Sequence, residues 1–151
     1  MEKLHVGLGK NSYDIMIGEN FFEEFPKYIG EVYSGKKLFV ITDSNVHEIY
    51  EEKYKEMFKG FNYSIFVLQA GEKHKHIGIM PSIYSAMVNE GLTRKDMVVV
   101  FGGGVVGDIA GFAAASYMRG IGFIQIPTTI VSQVDSSVGG KVGVDLPEGK
   151  N

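Results

Sequence analysis

The chain has 151 residues, 44% of them hydrophobic and 22% charged, with a net charge of −3, which is typical of an ordinary globular domain. The slight negative charge gives no general attraction to nucleic acid or to an anionic membrane, and no apolar run approaches the roughly 20 residues that a membrane span needs. The chain contains no cysteine, which excludes disulfides and thiolate chemistry, so we expect a single cytoplasmic domain over residues 1–151.

Strand-like and helix-like segments alternate from the N-terminus onward. In chain order the first half predicts strands at Leu4–Leu8 and Tyr13–Gly18, a short helix around Pro26, a strand at Lys36–Thr42 and a helix at Val46–Lys59. The second half predicts a strand at Asn62–Leu68, a polar loop, a helix at Ile77–Asn89, a strand at Met97–Phe101, a helix at Val106–Ala115, a strand at Gly122–Pro127 and a threonine-capped helix from Thr128. This alternation predicts an α/β fold of Rossmann-like type, a mostly parallel sheet with helices on both faces.

Polar and glycine-rich stretches follow four of the predicted strands. They read DSNV, GEKHK, GGGVVGD and PTT. Ligands of parallel sheets bind at the carboxyl ends of the strands. We therefore expect these four stretches to gather along one functional edge.

The run from Gly102 to Gly107 satisfies the pattern G-x-G-x-x-G between a strand and a helix. Such a turn lets a pyrophosphate approach the backbone at a helix N-terminus; the alternative is close packing of a small-residue helix on the sheet. It is not an ordinary Rossmann fingerprint, because it comes late in the chain and Pro127 stands 20 positions after Gly107, where that fingerprint has an acidic residue. Asp43 is the candidate to replace that acid, with capping of the next helix as the alternative.

Several charged residues have both a binding and a structural interpretation. Glu72 and Lys75 can hold a ribose hydroxyl and a phosphate, or can belong to a solvated loop. His74 and His76 are interpreted as surface residues, since nothing else in the sequence completes a metal site around them. Arg119 stands among small and apolar neighbours, which predicts a buried guanidinium that meets a carboxylate or a phosphate.

The C-terminal stretch concentrates charge around a Gly-Gly pair. It carries Asp135, Lys141, Lys150 and Asn151. Together with Arg119, its lysines suggest an anionic substrate bound beside a nucleotide cofactor. A mobile, charged terminus is the alternative.

From Gly102 to Asn151 the motifs GGGVVGD, YMRG, PTT, SQVDSSVGGK and PEGKN together resemble the signature region of the 3-dehydroquinate synthases of the shikimate pathway. The resemblance implies NAD contacts on the adenosine side at Asp43, Asn45, Glu72 and Lys75. It implies further NAD contacts at Gly103, Gly104, Val105, Asp108, Thr128, Thr129, Asp135, Lys141 and Lys150. Its implied catalytic residues are Lys141, Asn151 and Arg119, the last reaching the substrate phosphate across a homodimer interface.

The resemblance also implies a reaction on a seven-carbon sugar acid phosphate. NAD oxidises an alcohol, phosphate is eliminated, the ketone is reduced again and an aldol closure forms 3-dehydroquinate. A divalent metal, zinc or cobalt, acts as a Lewis acid. Its ligands are expected in a second, helical domain absent from residues 1–151, so that this chain alone is expected to be inactive.

Two alternatives remain to this interpretation. One is a sister sugar-phosphate cyclase of the 2-deoxy-scyllo-inosose synthase type. The other is a non-catalytic NAD-binding or dimerisation module. Asp108, at the start of a phosphate-binding helix, is expected to point toward the nicotinamide side, with helix capping as its alternative role.

Overall fold

The centre of the fold is a sheet of four parallel strands: β3 (Lys37–Asp43), β4 (Asn62–Leu68), β5 (Met97–Gly102) and β6 (Gly122–Pro127). Their spatial order is β4-β3-β5-β6. Two more strands, β1 (Glu2–Val6) and β2 (Tyr13–Ile17), pair as a separate antiparallel hairpin. The computed structural model describes residues 1–150, so the predicted catalytic residue Asn151 lies outside the described residues.

The inner strands are buried on both faces because alternate residues face two different apolar clusters. On β3, Leu38 and Val40 belong to one cluster, and Phe39 and Ile41 belong to the other. The residues of β5 alternate in the same way. Helices cover both sides of the sheet, which confirms the predicted fold class.

The helices lie at α1 (Phe25–Val32), α2 (Ser44–Tyr50), α3 (Tyr54–Met57), α4 (Met80–Asn89) and α5 (Gly104–Ser116). Side chains of α4 and α5, such as Ile83, Met87 and Ile109, fill the cluster that contains Phe39. Side chains of α1, α2 and α3 fill the other cluster. None of the helices within residues 1–150 has the length and apolar character needed to cross a membrane.

Four predicted helices differ in part from the structure. The helix predicted from Ile77 begins with a 3-10 turn at Ile77–Ile79, and α4 itself starts at Met80. The helix predicted over Val46–Lys59 is divided by a 3-10 turn at Glu51–Lys53, whose three side chains are exposed. The helix after β5 begins at Gly104, two residues earlier than predicted. After β6 the predicted threonine cap is present, since Thr129 Oγ1 accepts the amide of Ser132 at 3.2 Å, but the helical turn continues as a π-helix over Ser132–Ser136.

The irregular C-terminal segment packs on the rest of the fold. Val144 is 7% exposed and belongs to the cluster of α4 and α5. Val142 lies against Gly111 of α5, so closely that a methyl group at Gly111 would be 2.3 Å from Val142 Cγ1. The amide of Asp145 donates to the carbonyl of Lys75 at 2.9 Å. Residues 142–145 therefore have contacts with α5 and with the loop that carries Lys75.

Candidate active site

The carboxyl ends of the four parallel strands bring the predicted site residues to one edge. Asp43 ends β3 and lies beside Leu68 of β4, while Gly102 ends β5 beside Pro127 of β6. The chain leaves β3 for β4 on one side and then returns to β5 on the other, so the strand order reverses between β3 and β5. Such a reversal opens a crevice at the carboxyl edge, the usual ligand position in open α/β sheets.

The glycine turn at this crevice leaves the start of α5 without a side-chain cap. Gly103 is the N-cap residue and no side chain bonds there. The first amide that finds a helical partner is that of Gly107, which donates to the carbonyl of Gly103 at 2.9 Å. The N–H groups of Gly104, Val105 and Val106 therefore have no partner within the helix and, with the helix dipole, favour a bound anion.

The neighbouring segment closes tightly on this turn. The amide of Thr128 donates to the carbonyl of Gly102 at 3.0 Å. A methyl group at Gly103 would lie 3.2 Å from Thr129 Cγ2, and one at Gly104 would lie 3.6 Å from Ser136 Oγ. The contact would be tight at Gly103 and ordinary at Gly104, so it is Gly103 that keeps a side chain out of the gap over the helix N-terminus. The hydroxyl of Thr129 itself is bonded to Ser132 Oγ at 2.9 Å.

Asp43 caps α2. Its Oδ1 accepts hydrogen bonds from the amides of Asn45 at 2.9 Å and Val46 at 3.0 Å. The capping alternative is therefore confirmed, and it fixes the carboxylate at the mouth of the crevice. Contact of Asp43 and Asn45 with a nucleotide stays a prediction.

Lys75 and Asp108 form a buried ion pair, with Nζ and Oδ2 2.6 Å apart and side chains 7% and 19% exposed. The interpretation of Lys75 as part of a solvated loop is wrong, and so is capping by Asp108, which lies five residues after the cap. Burial acts to lower the pKa of Lys75, but the hydrogen bond and charge of Asp108 outweigh it, and the pKa is raised. The ammonium offsets a carboxylate that would otherwise oppose an anion at the helix start.

The loop that carries Lys75 is tied to the C-terminal segment. Glu72 Oε1 lies 3.6 Å from Lys150 Nζ, and both side chains are largely exposed. The amide of Ile77 donates to the carbonyl of Asp145 at 3.0 Å. His76 is exposed as predicted, whereas His74 is half-buried and its Nε2 is buried without a hydrogen-bond partner among residues 1–150.

Next to the start of α5 lies a cavity of about 360 Å³ lined by Asp108, Asp135, Ser136, Lys141 and Val142. The Lys141 ammonium pairs with Asp135, and both side chains are more than half exposed. Ser136 Oγ is buried and has no hydrogen-bond partner within the described residues. The cavity thus joins an ammonium and two carboxylates beside the uncapped start of α5.

Arg119 is not brought to this cavity. It follows the C-terminal end of α5, at the amino edge of the sheet, and its side chain is exposed. Met118 and Arg119 both have left-handed backbones, with φ of 50° and 69°, which costs about 1–2 kcal/mol per residue. The predicted buried guanidinium is therefore wrong, because this turn presents the side chain to solvent. No ion pair involves Arg119 among residues 1–150.

Three contacts of this region were not predicted. They are Ser136 in the cavity wall, Val142 against Gly111, and the hydroxyl of Tyr13, which accepts from the amide of Gly139 at 3.0 Å. The small residues of α5 indicated close packing, although nothing in the sequence named Val142 as the partner. The contact of Tyr13 joins residues 126 positions apart, and no pattern of neighbouring residues in the sequence predicts it.

The described residues fit a dinucleotide better than a metal. The glycine turn, its free N–H groups and the buried, unpartnered hydroxyl of Ser136 offer donors to phosphate oxygens. Across residues 1–150, no three His, Cys, Asp or Glu side chains come together in a way that would hold a metal ion.

The sheet, its reversal of strand order and the glycine turn define an α/β domain of the Rossmann-like type, in which nucleotides commonly bind at such a turn. The family model for the 3-dehydroquinate synthase N-terminal region matches residues 65–151. This chain belongs to that family. A 3-dehydroquinate synthase from Clostridium acetobutylicum is 50% identical over the whole of this chain. The chain spans 43% of that relative's length.

Two solved structures are similar as well. A 2-deoxy-scyllo-inosose synthase complexed with carbaglucose-6-phosphate, NAD+ and Co²⁺ aligns with a TM-score of 0.89 at 28% identity, over 99% of this chain and 41% of its own. A 2-epi-5-epi-valiolone synthase from Streptomyces hygroscopicus subsp. jinggangensis 5008, with NAD+ and Zn²⁺ bound, aligns with a TM-score of 0.82 at 28% identity. It covers 97% of this chain, which spans 41% of that protein.

Proposed function

We propose that this chain is the NAD-binding part of a 3-dehydroquinate synthase. In that enzyme, 3-deoxy-D-arabino-heptulosonate 7-phosphate is converted to 3-dehydroquinate and phosphate in aromatic amino acid biosynthesis. The observation that carries the proposal is the uncapped glycine start of α5 beside the cavity, in a chain of this family. We propose a cytoplasmic location for this biosynthetic step.

In this proposal the N–H groups of Gly104 and Val105 hold the cofactor pyrophosphate, and the gap beside Gly103 admits it. Asp43, Asn45 and Glu72 lie toward the adenosine. When bound, NAD would supply a transient oxidation of the substrate alcohol. Lys75 keeps the carboxylate of Asp108 neutralised, so that the dipole of α5 acts on the phosphates without an opposing charge.

Lys141 supplies the positive charge in the cavity wall. Its ammonium, paired with Asp135, is placed to hold an anionic substrate beside the cofactor. Thr128, Thr129 and Lys150 border the same edge, and Asn151 is proposed as a further contact. Arg119 faces away from this cavity, so we propose that it serves the second site of a homodimer.

Residues 1–150 contain no cluster of His, Cys, Asp or Glu side chains that could bind the divalent metal of the related cyclases. We propose that its ligands lie in the part of the longer relatives that this chain does not span. We accordingly expect the 151-residue chain to release no phosphate from the heptulosonate phosphate in the presence of NAD+ and Zn²⁺. Steady release above the rate without protein would contradict this.

A second candidate is a cyclase that acts on glucose 6-phosphate, favoured by the close structural match to 2-deoxy-scyllo-inosose synthase. The higher identity to 3-dehydroquinate synthases, 50% against 28%, favours the first candidate. The natural gene product that contains this chain should be assayed on both substrates with NAD+ and Co²⁺ or Zn²⁺. Turnover of the heptulosonate phosphate alone supports the proposal, and turnover of glucose 6-phosphate alone would contradict it.

A further inference from the structure

Lys141 follows a glycine turn that has little to hold it. Gly139 and Gly140 are both left-handed, with φ of 85° and 67°, and a β-carbon at either position would meet no atom within 4 Å. No packing therefore restrains these two residues. Glycine is also the residue whose backbone is most free to move. Something else must fix the direction in which Lys141 leaves the turn.

In the segment from Val138 to Asp145, a hydrogen bond from the main chain attaches the glycine turn to another element. The amide of Val138 donates to the carbonyl of Asp135, and the amide of Asp145 donates to Lys75, at 3.1 and 2.9 Å. Between them, within the part of the chain that the structure describes, the amide of Gly139 donates to Tyr13 Oη at 3.0 Å, which attaches the turn to β2. Tyr13 belongs to β2 and pairs with Val6 of β1, so its own backbone is held by the hairpin.

We propose that Tyr13 is a positioning residue for Lys141. Its hydroxyl accepts the Gly139 amide and sets the start of the glycine turn. Packing of Val142 against Gly111 sets the end of the turn. Lys141 is thereby held between two fixed points, with its ammonium on Asp135 in the cavity wall. Through the side chain of Tyr13, the N-terminal hairpin helps to fix the wall of the cavity that carries Lys141.

The effect on ligand binding rests on the proposed function, whereas the effect on Lys141 itself does not. Tyr13→Phe removes the acceptor and keeps the ring. One lost hydrogen bond of ordinary strength should weaken NAD+ binding by about 2- to 10-fold. Tyr28→Phe is the matched control, because it removes an exposed hydroxyl that bonds Glu24 at 2.9 Å on α1, remote from the cavity.

The experiment is an NMR comparison of the 151-residue chain, Tyr13→Phe and Tyr28→Phe, followed by NAD+ titration of each. We expect Tyr13→Phe to speed amide exchange at Gly139 and to move the Lys141 ε-CH₂ signals toward those of a free lysine, with Tyr28→Phe unchanged in both. Unchanged Gly139 exchange and Lys141 signals in Tyr13→Phe would overturn the inference. If the wild-type chain binds no NAD+, the proposed function fails, while the Lys141 signals still decide the role of Tyr13.

Discussion

At the scale of single residues, the pairing of Lys75 with Asp108 is the feature that most changes how the site is understood. Both are predicted to contact a nucleotide, which stays a prediction, and the structure adds that they pair with each other at 2.6 Å, with side chains 7% and 19% exposed. An ammonium and a carboxylate removed from water stabilise the fold only as a pair. The pair therefore links the loop after β4 to the first turns of α5.

Removal of one partner should destabilise the chain strongly. We expect Lys75→Met to lower the free energy of unfolding by up to about 3 kcal/mol, because it leaves the partly buried carboxylate of Asp108 uncompensated. Urea denaturation measures the change. Lys141→Met is the matched control, since it breaks an exposed pair that should contribute about 0–1 kcal/mol. An equal decrease in the free energy of unfolding in the two variants would mean that the Lys75–Asp108 pair matters no more to stability than an exposed ion pair.

The same pair predicts a pH dependence on the alkaline side. The pKa of Lys75 is raised from 10.5, so its contribution to stability is fully present below about pH 10.5 and is lost as the pH rises through the folded-state value. The free energy of unfolding should therefore fall more steeply above pH 10.5 in the wild type than in Lys75→Met. Parallel curves for the two proteins between pH 9 and 12 would contradict this.

The residue predictions from sequence succeeded where a local rule applies. Asp43 before Asn45 and Val46 is a capping pattern, and the structure has that cap. The partner of Lys75 is 33 positions away in sequence, so only the folded chain identifies it. Arg119 has small and apolar neighbours, which indicated burial, but the left-handed turn at Met118 and Arg119 directs its side chain outward.

At the scale of elements, α5 is in contact with each of the other parts of the site. Its N-terminus forms the glycine turn, its fifth residue is Asp108, and its eighth, Gly111, receives Val142 from the C-terminal segment. The alternation of strands and helices predicted this element and its neighbours in the sheet. The division between α2 and α3 was not predicted, since Val46, Tyr50, Tyr54 and Met57 keep a helical spacing across the 3-10 turn.

A glycine-to-alanine pair on two helices tests the packing on α5. Gly30→Ala on α1, where a methyl group would meet nothing within 4 Å, should raise the free energy of unfolding by about 0.5–1 kcal/mol. Gly111→Ala should instead lower it and weaken NAD+ binding, because the methyl group would lie 2.3 Å from Val142 Cγ1. Thermal or urea unfolding compares the two. A gain in Gly111→Ala would show that the C-terminal segment does not rest on α5.

At the scale of the whole molecule, the parallel sheet determines which residues lie together at each of its edges. The carboxyl edge gathers Asp43, the glycine turn and the cavity wall, while the amino edge presents Arg119. One chain therefore holds the parts of the candidate cofactor site at one edge and the exposed guanidinium of Arg119 at the other. This arrangement supports the proposal that the complete enzyme works as a homodimer.

A negative charge introduced at the start of α5 distinguishes an effect on NAD+ binding from an effect on the stability of the fold. Gly104→Asp adds a carboxylate at the first residue of α5, which suits the helix dipole and should leave stability unchanged or improved by about 0.3–1 kcal/mol. The same charge should repel a pyrophosphate, so NAD+ affinity should fall by at least about 10-fold. Ser82→Asp, in the exposed first turn of α4, is the control with the same dipole effect and no effect on NAD+. Unchanged NAD+ affinity in Gly104→Asp would exclude the helix start as the phosphate site.

Isothermal titration of the 151-residue chain with NAD+ decides whether this domain binds the cofactor. We expect saturable binding of one NAD+ per chain, with Kd below about 1 mM, equivalent to about −4 kcal/mol. Binding should be unaffected by Ser82→Asp and should be lost or much weakened in Gly104→Asp. No binding of NAD+ by the folded wild-type chain at millimolar concentration would contradict the account and leave this domain a structural role only.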